Sequence, residues 1–325
     1  MPRPLLTAAA LIGIATLAGI EFASAQSDFP NRTIRFVVPF APGGGVDTLG
    51  RLVAEKLQAR VGQTVIIENR AGANGTIGGQ AVMQAAPDGY TLLFTSVTHT
   101  MAKLVLAKPP YDPLTDFTPI ARVGEVPLVV VISPQLPQKT LGEVAAAAKQ
   151  NPDRWTAGTP ALGSPSHIAT IAFSRLADVK LTITPYRGTA PALTDVAGGH
   201  IQMLTDAVIA LLPMARSGQV KAVALTTAKR SALAPEIPTA AESGLPGLEV
   251  AAWFGLWGPK GMSPDVIKKL NEATAAVLRE LTAEGKLAAI GVEPVYQTPE
   301  EFAAHTAAEV ARNAELLKSV DFQPQ

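Results

Sequence analysis

Five short segments carry the residues with the most to offer a ligand. They are Ala41-Pro42-Gly43-Gly44-Gly45, Ala73-Asn74-Gly75, Thr95-Ser96-Val97-Thr98-His99, Gly163-Ser164-Pro165-Ser166-His167 and Arg187-Gly188-Thr189-Ala190-Pro191. Most lead into helical spacing of apolar residues. The first N–H groups of a helix have no partner within it, and the aligned peptide dipoles make that end positive. Glycine lets backbone approach a ligand closely, and Ser or Thr adds a hydroxyl. Such ends hold carboxylates or phosphates without a formal cation. Ser164 reads as an N-cap with Pro165 at the first helical position. Any one loop alone serves as a helix cap, which every α/β protein needs. Together, at the carboxyl ends of strands, they suit a small anion.

Two charged residues belong with this set. Arg187 either pairs with a ligand carboxylate or forms a surface salt bridge. Asp206, at a strand end, either reaches the ligand or caps the helix that follows. Catalytic patterns are missing. A dinucleotide fingerprint started at Gly43 meets Thr48 where its last glycine belongs, and started at Gly45 it meets Asp47 in third place. Asp47, in a first helical turn, reads as a cap for its own helix. There is no G-x-S-x-G and no H-E-x-x-H. Ser166 and His167 are sequence neighbours on a helix, and neighbours do not face each other. His99, His167, His200 and His305 are scattered without metal-ligand spacing, so no metal and no cofactor is expected.

These loops need a scaffold, and the chain supplies alternating strands and helices. Thr33–Val38, Thr64–Glu68 and Thr91–Thr95 read as strands, separated by helices from Val46 and from about Ile77 to Ala85. That alternation means a parallel sheet with crossover helices. Pro109–Pro119 reads as an irregular connection. Leu128–Ile132 is the next strand, and Thr140 with Glu143 forms a capping box. Strands near Thr156, at Leu181–Pro185, Ile201–Thr205 and Val220–Leu225 alternate with helices at Pro165–Ala177, after Thr189 and up to Gly218. After a Pro-rich stretch, Trp253–Trp257 is a strand and the rest is helical, with breaks at Gly285, Gly291 and Pro294. The late helices need the early sheet to cover. The expected plan is therefore a discontinuous first domain, residues 26–126 plus 249–325, with residues 127–248 inserted as a second. Two crossings make a hinge, with a cleft between the domains.

Residues 1–25 read as a signal peptide: Arg3, an apolar run from Leu5 to Ile20, then Ala23-Ser24-Ala25. The run is shorter than the ~20 residues of a membrane-spanning helix. Acidic and basic residues balance at 27 each, so no basic field exists to collect nucleic acid or anionic lipid. The absence of cysteine excludes disulfides, thiolate metal sites and a cysteine nucleophile.

Pro39-Phe40-Ala41-Pro42-Gly43-Gly44-Gly45-Val46-Asp47 resembles the PF-x-PGG-x-x-D loop of the tripartite tricarboxylate transporter substrate-binding proteins, the Bug or TctC-like receptors. ENRAGANGTIG, DGYTLLF, GSPSHIA, YRGTAPALTDVAGGHI and PTAAESGLPGLEV followed by WFGLWGPKGM resemble the same family in the same order. The resemblance implies a two-domain α/β Venus-flytrap fold of the periplasmic-binding-protein type II kind. It implies a non-enzymatic receptor that captures a small carboxylate (a di- or tricarboxylate, an aromatic acid or an amino acid) and hands it to a membrane permease. Some relatives serve instead as inputs to sensor kinases, and a secreted hydrolase using Ser166 or Asp206 with a histidine is the rival reading. A monomer in the periplasm is expected. Carried over by position, the ligand site is Phe40, Ala41, Gly43, Gly44, Asn74, Ser96 and Thr98 in the first domain. In the second it is Ser164, Ser166, His167, Arg187, Thr189, Ala190 and Asp206.

Overall fold

A computed structural model describes residues 29–319 and 321–325. The segment read as a signal peptide lies outside the described residues. The chain opens β1 (Ile34–Val38), α1 (Gly45–Val61), β2 (Val65–Asn69), α2 (Thr76–Met83), β3 (Thr91–Ser96) and α3 (Thr98–Val105). β1 pairs in parallel with β2 on one side and β3 on the other, as the alternation requires. Both faces of β1 are covered: Ile34, Phe36 and Val38 enter one apolar cluster and Val37 another. A strand buried on both faces reads as an unbroken apolar run, which is why this one stands out in the sequence.

Next come β4 (Phe117–Ile132), α4 (Leu141–Gln150), β5 (Thr156–Thr159), α5 (Pro165–Ala177), β6 (Thr182–Pro185), α6 (Thr189–Gly198), β7 (Met203–Ala207), α7 (Val208–Arg216) and β8 (Lys221–Leu225). The chain closes with β9 (Ala251–Pro259), α8 (Pro264–Ala283), α9 (Lys286–Ala289), β10 (Glu293–Pro294) and α10 (Pro299–Lys318). The strands form one sheet path, β2-β1-β3-β9-β4-β7-β5-β6, with β8 and β10 also paired to β4. This is the two-lobed α/β binding fold expected from the sequence.

Three sequence expectations need correction. β4 begins at Phe117, not Leu128, so the end of the stretch read as irregular, Phe117–Pro119, and the residues up to Pro127 are strand. Its proline and glycine residues do not end it, because register shifts near Pro119 and Gly124 absorb them. Thr98 starts a helix, α3, where only a loop was read. Thr140 does cap α4 by accepting from the Glu143 N–H, but the Glu143 carboxylate accepts from Lys139 N–H, one residue before the cap.

β4 joins the lobes. Phe117–Pro127 pair antiparallel with β9, and Leu128–Ile132 pair with β7 and β8. In its second half Val129 and Val131 face one apolar cluster while Val130 and Ile132 face another. The returning chain is fastened beside it. Thr226 donates its N–H to Leu128 O at 2.9 Å and its hydroxyl to Val250 O at 2.5 Å, and accepts from Val250 N–H at 3.0 Å.

Candidate functional site

Five helix starts meet in the space between the lobes. α1, α3, α5, α6 and α7 all present their first turns there, through Gly44, Thr98, Ser164, Thr189 and Ala207. Each follows the carboxyl end of a strand, the edge on which open α/β sheets bind ligands. Phe40, Val46, Ala252 and Phe254 supply the apolar wall. Among the described lining residues there is no Lys, Arg or His. The positive potential there comes from backbone N–H groups and helix dipoles.

The loop before α1 is held by Asp47. Its Oδ2 accepts from Gly43 N–H and Arg51 Nε, both at 3.0 Å, and its Oδ1 accepts from Arg51 and Asn69, both at 2.9 Å. Burial pushes this carboxyl upward, but the bonds from Arg51, Gly43 and Asn69 outweigh it and hold the group below its ordinary range. Asp47 thus fastens its own helix start, and its charge is neutralised by Arg51. Gly43 has φ +87°, which favours glycine. On the facing lobe, Ser164 accepts from His167 N–H at 3.1 Å and shares a hydrogen with Thr159 Oγ1 at 2.9 Å. Ser96 Oγ and Thr98 Oγ1 stand 3.0 Å apart.

Asp206 differs from Asp47 because no cation neutralises it among the described residues. Its Oδ2 accepts from Thr189 Oγ1 at 2.6 Å and its Oδ1 from Ala207 N–H at 2.7 Å. Burial pushes its pKa up to about 6, and those two bonds only partly oppose the rise. Asp206 binds the start of α7, as one of the two readings left open by the sequence has it, and it also lines the cavity.

The lobes stand closed. Asn74 locks them, its Nδ2 donating to Leu162 O at 2.8 Å and its Oδ1 accepting from Leu162 N–H at 2.6 Å. Ala41 N–H reaches Arg187 O at 3.4 Å. Leu162, Ile168 and Ile171 share an apolar cluster with Met101 and Val105 from across the cleft. The space left is about 30 Å3 counted at water centres. One water needs ~10–15 Å3 on that measure, so a metabolite must wait for the lobes to part.

Of the residues expected at the ligand, Phe40, Gly44, Ser96, Thr98, Ser164, Thr189 and Asp206 line this cavity. Others stand apart. Asn74, Ala41 and Gly43 serve the loops and the closure. Ser166 donates to Thr205 O, inside its own lobe. His167 Nδ1 accepts from Gly163 N–H at 3.0 Å, and burial takes its pKa down to about 4. Arg187 is exposed, and its side chain has no partner among the described residues. Ala190 gives its carbonyl to Thr194. Ser166 and His167 therefore hold unrelated bonds, which does not favour a hydrolase. Phe254 and Ala252 were missed. Their signal is topological: β9 lies beside β3, with Phe254 opposite Ser96, and nothing local in the sequence says so. Pro160 was missed too, although it follows a strand end where such loops are sought.

Two lobes on a shared strand, closing over converged helix starts, define a solute-binding protein. Residues 49–322 match the model of the tripartite tricarboxylate transporter family receptor, and the chain belongs to that family. It is 36% identical over 312 residues to protein BugT of Bordetella pertussis, covering 95% of this chain and 96% of that one. The Rpa4515 protein of R. palustris, solved with adipate, superposes with a TM-score of 0.88 at 34% identity, covering 91% of this chain and all of that one. MatC of Rhodopseudomonas palustris, solved with bound malate, gives 0.83 at 35%, covering 89% and 100%. As a receptor of this family the protein captures a solute and does not convert it.

Proposed function

We propose that the protein captures a small dicarboxylate in the periplasm and presents it to the membrane permease of a tripartite tricarboxylate transporter. The observation that carries this reading is the convergence of five helix starts on a cavity whose described lining holds no cationic side chain. Backbone donors and dipoles suit carboxylates, and the narrow apolar wall of Phe40 and Phe254 suits a short carbon chain. The adipate and malate held by the two solved relatives are of this class.

The same reading takes residues 1–25 as the export signal and the protein as a monomer. It takes residues 26–126 plus 249–325 as one moving body and 127–248 as the other. The change of partners along β4 between Pro127 and Leu128 supports that division.

A thermal-shift screen of mono-, di- and tricarboxylates, aromatic acids and amino acids tests the ligand class. A ligand at a hundred times its dissociation constant adds ~2.7 kcal/mol to stability. A clear shift with dicarboxylates alone is expected; a flat response to every carboxylate would sink the reading. Arg187→Ala should change affinity by less than about twofold, or ~0.4 kcal/mol, since its side chain is exposed. Titration calorimetry checks this, and loss of binding would make Arg187 an anchor after all.

A further inference from the structure

The cavity proposed for an anion already contains one. Asp206 is buried, lines the space between the lobes, and has its two oxygens on Thr189 Oγ1 and Ala207 N–H. Those donors belong to the first turns of α6 and the start of α7, the positive ends that would also receive a ligand carboxylate. In the closed protein Asp206 is thus itself the anion these helix ends serve. A second anion brought beside it meets like charge at close range in a site shut off from water, where one of two neighbouring carboxylates is held protonated.

We propose that Asp206 takes up one proton from solvent when a dicarboxylate binds, and that the neutral acid then donates a hydrogen bond to the ligand carboxylate. This rests on the dicarboxylate reading above and deepens it: the captured species is the dianion together with one proton.

Among the described residues the surroundings leave no other group to take that role. Asp47, across the cavity, keeps its charge because Arg51 and Asn69 hold it. His167 on α5 is turned to Gly163 N–H, and His99 on α3 is enclosed by Tyr111, Phe117 and Trp257. Arg187, before α6, is exposed and outside the lining. From the neighbouring strands the residues in register with Asp206 and its β4 partner are Val129 and Leu225, which carry no charge. Burial already pushes Asp206 to about 6 before any ligand charge is added, so the further rise needed is small. An ammonium group on the ligand would be the opposite solution, but the five helix starts set a field that opposes a cation there.

The test is titration calorimetry with adipate and with malate from about pH 6 to about pH 8, in paired buffers of different ionisation heat. Over this range both probes are mostly doubly ionised. The expected result is proton uptake that grows from about half a proton near pH 6, where Asp206 is already half protonated, toward one as pH rises, with the dissociation constant rising up to ~10-fold per pH unit, the limit for one linked proton. Asp206→Asn, which mimics the neutral acid, should bind at about pH 8 as tightly as the wild type binds near pH 6, without proton uptake. Thr189→Val removes a donor that favours the charged form, and should move the proton uptake of the wild-type site to higher pH. This second variant keeps the test decisive if the asparagine variant fails to fold. Binding of the probes that is flat with pH, with no buffer dependence, would overturn the proposal and leave the carboxylate reading standing. So would weaker binding of Asp206→Asn than of wild type at about pH 8, the mark of an ionised acid accepting from a donor on the ligand. Failure of both probes at every pH would sink the dicarboxylate reading, and the proposal with it.

Discussion

At the scale of single residues, the cavity is decided by what is small and what is uncompensated. Gly44 has φ −82°, so a side chain there costs the backbone nothing. Its added Cβ would stand 3.2 Å from Thr189 Oγ1 on the other lobe. Gly44→Val should therefore fold normally and close badly. Its melting temperature should match wild type while its affinity for the captured acid falls at least ~10-fold, about 1.4 kcal/mol; calorimetry beside a thermal melt checks both. Asp206 contributes in the other direction. Its folded pKa, about 6, lies above its ordinary 3.8, so the folded state binds the proton more tightly than the unfolded chain does. Stability from this group is greatest below about 3.8, falls as pH rises toward 6, and stays low above it. Asp206→Asn should melt higher than wild type above about pH 6, by up to ~3 kcal/mol, and the two should converge near pH 4. Melts across that range decide it. Asp47, whose pKa is lowered, acts oppositely but is common to both proteins and cancels in the comparison.

At the scale of elements, the sequence was most readable where local chemistry is strong. Pro165–Ala177 is a helix with the bounds read from its Ser164 cap and Pro165 start. Gly62, at φ 69°, ends α1 in the left-handed conformation that glycine favours past a helix C-terminus. β4 was half hidden because its first part carries Pro119, Gly124 and Pro127, which locally argue against a strand. Long-range pairing with β9 overrides them. The site divides the same way. Helix-start residues such as Gly44, Ser164 and Thr189 were legible from loop composition, whereas the roles of Asn74 and Ser166 depend on what folding places opposite them. Asn74 is a clasp between elements, and its φ of 58° suits Asn or Gly. Asn74→Gly should keep that turn and remove both bonds to Leu162, worth ~1–3 kcal/mol of closure. Small-angle scattering should show a larger radius of gyration for the unliganded variant than for wild type; equal radii would mean the apolar contacts alone hold the lobes.

At the scale of the molecule, the closed arrangement of the lobes sets the order of events in capture. The cavity as it stands admits little beyond water, so opening comes before binding. The observed association rate in stopped-flow tryptophan fluorescence should level off as ligand concentration rises, at the rate of opening. A rate that stays linear would mean an open form prevails in solution.

The position of β9 also governs how the chain can be made. β3 ends at Ser96 and β4 begins at Phe117, yet the strand that lies between them arrives only at Ala251–Pro259. While a ribosome is still adding the intervening lobe, the facing edges of β3 and β4 have no neighbour. The first lobe therefore cannot finish ahead of the second, and its pairings are of the long-range kind that form slowly. A nascent chain stays unfinished until about three-quarters of it exists, which leaves it free of a finished fold for most of its synthesis.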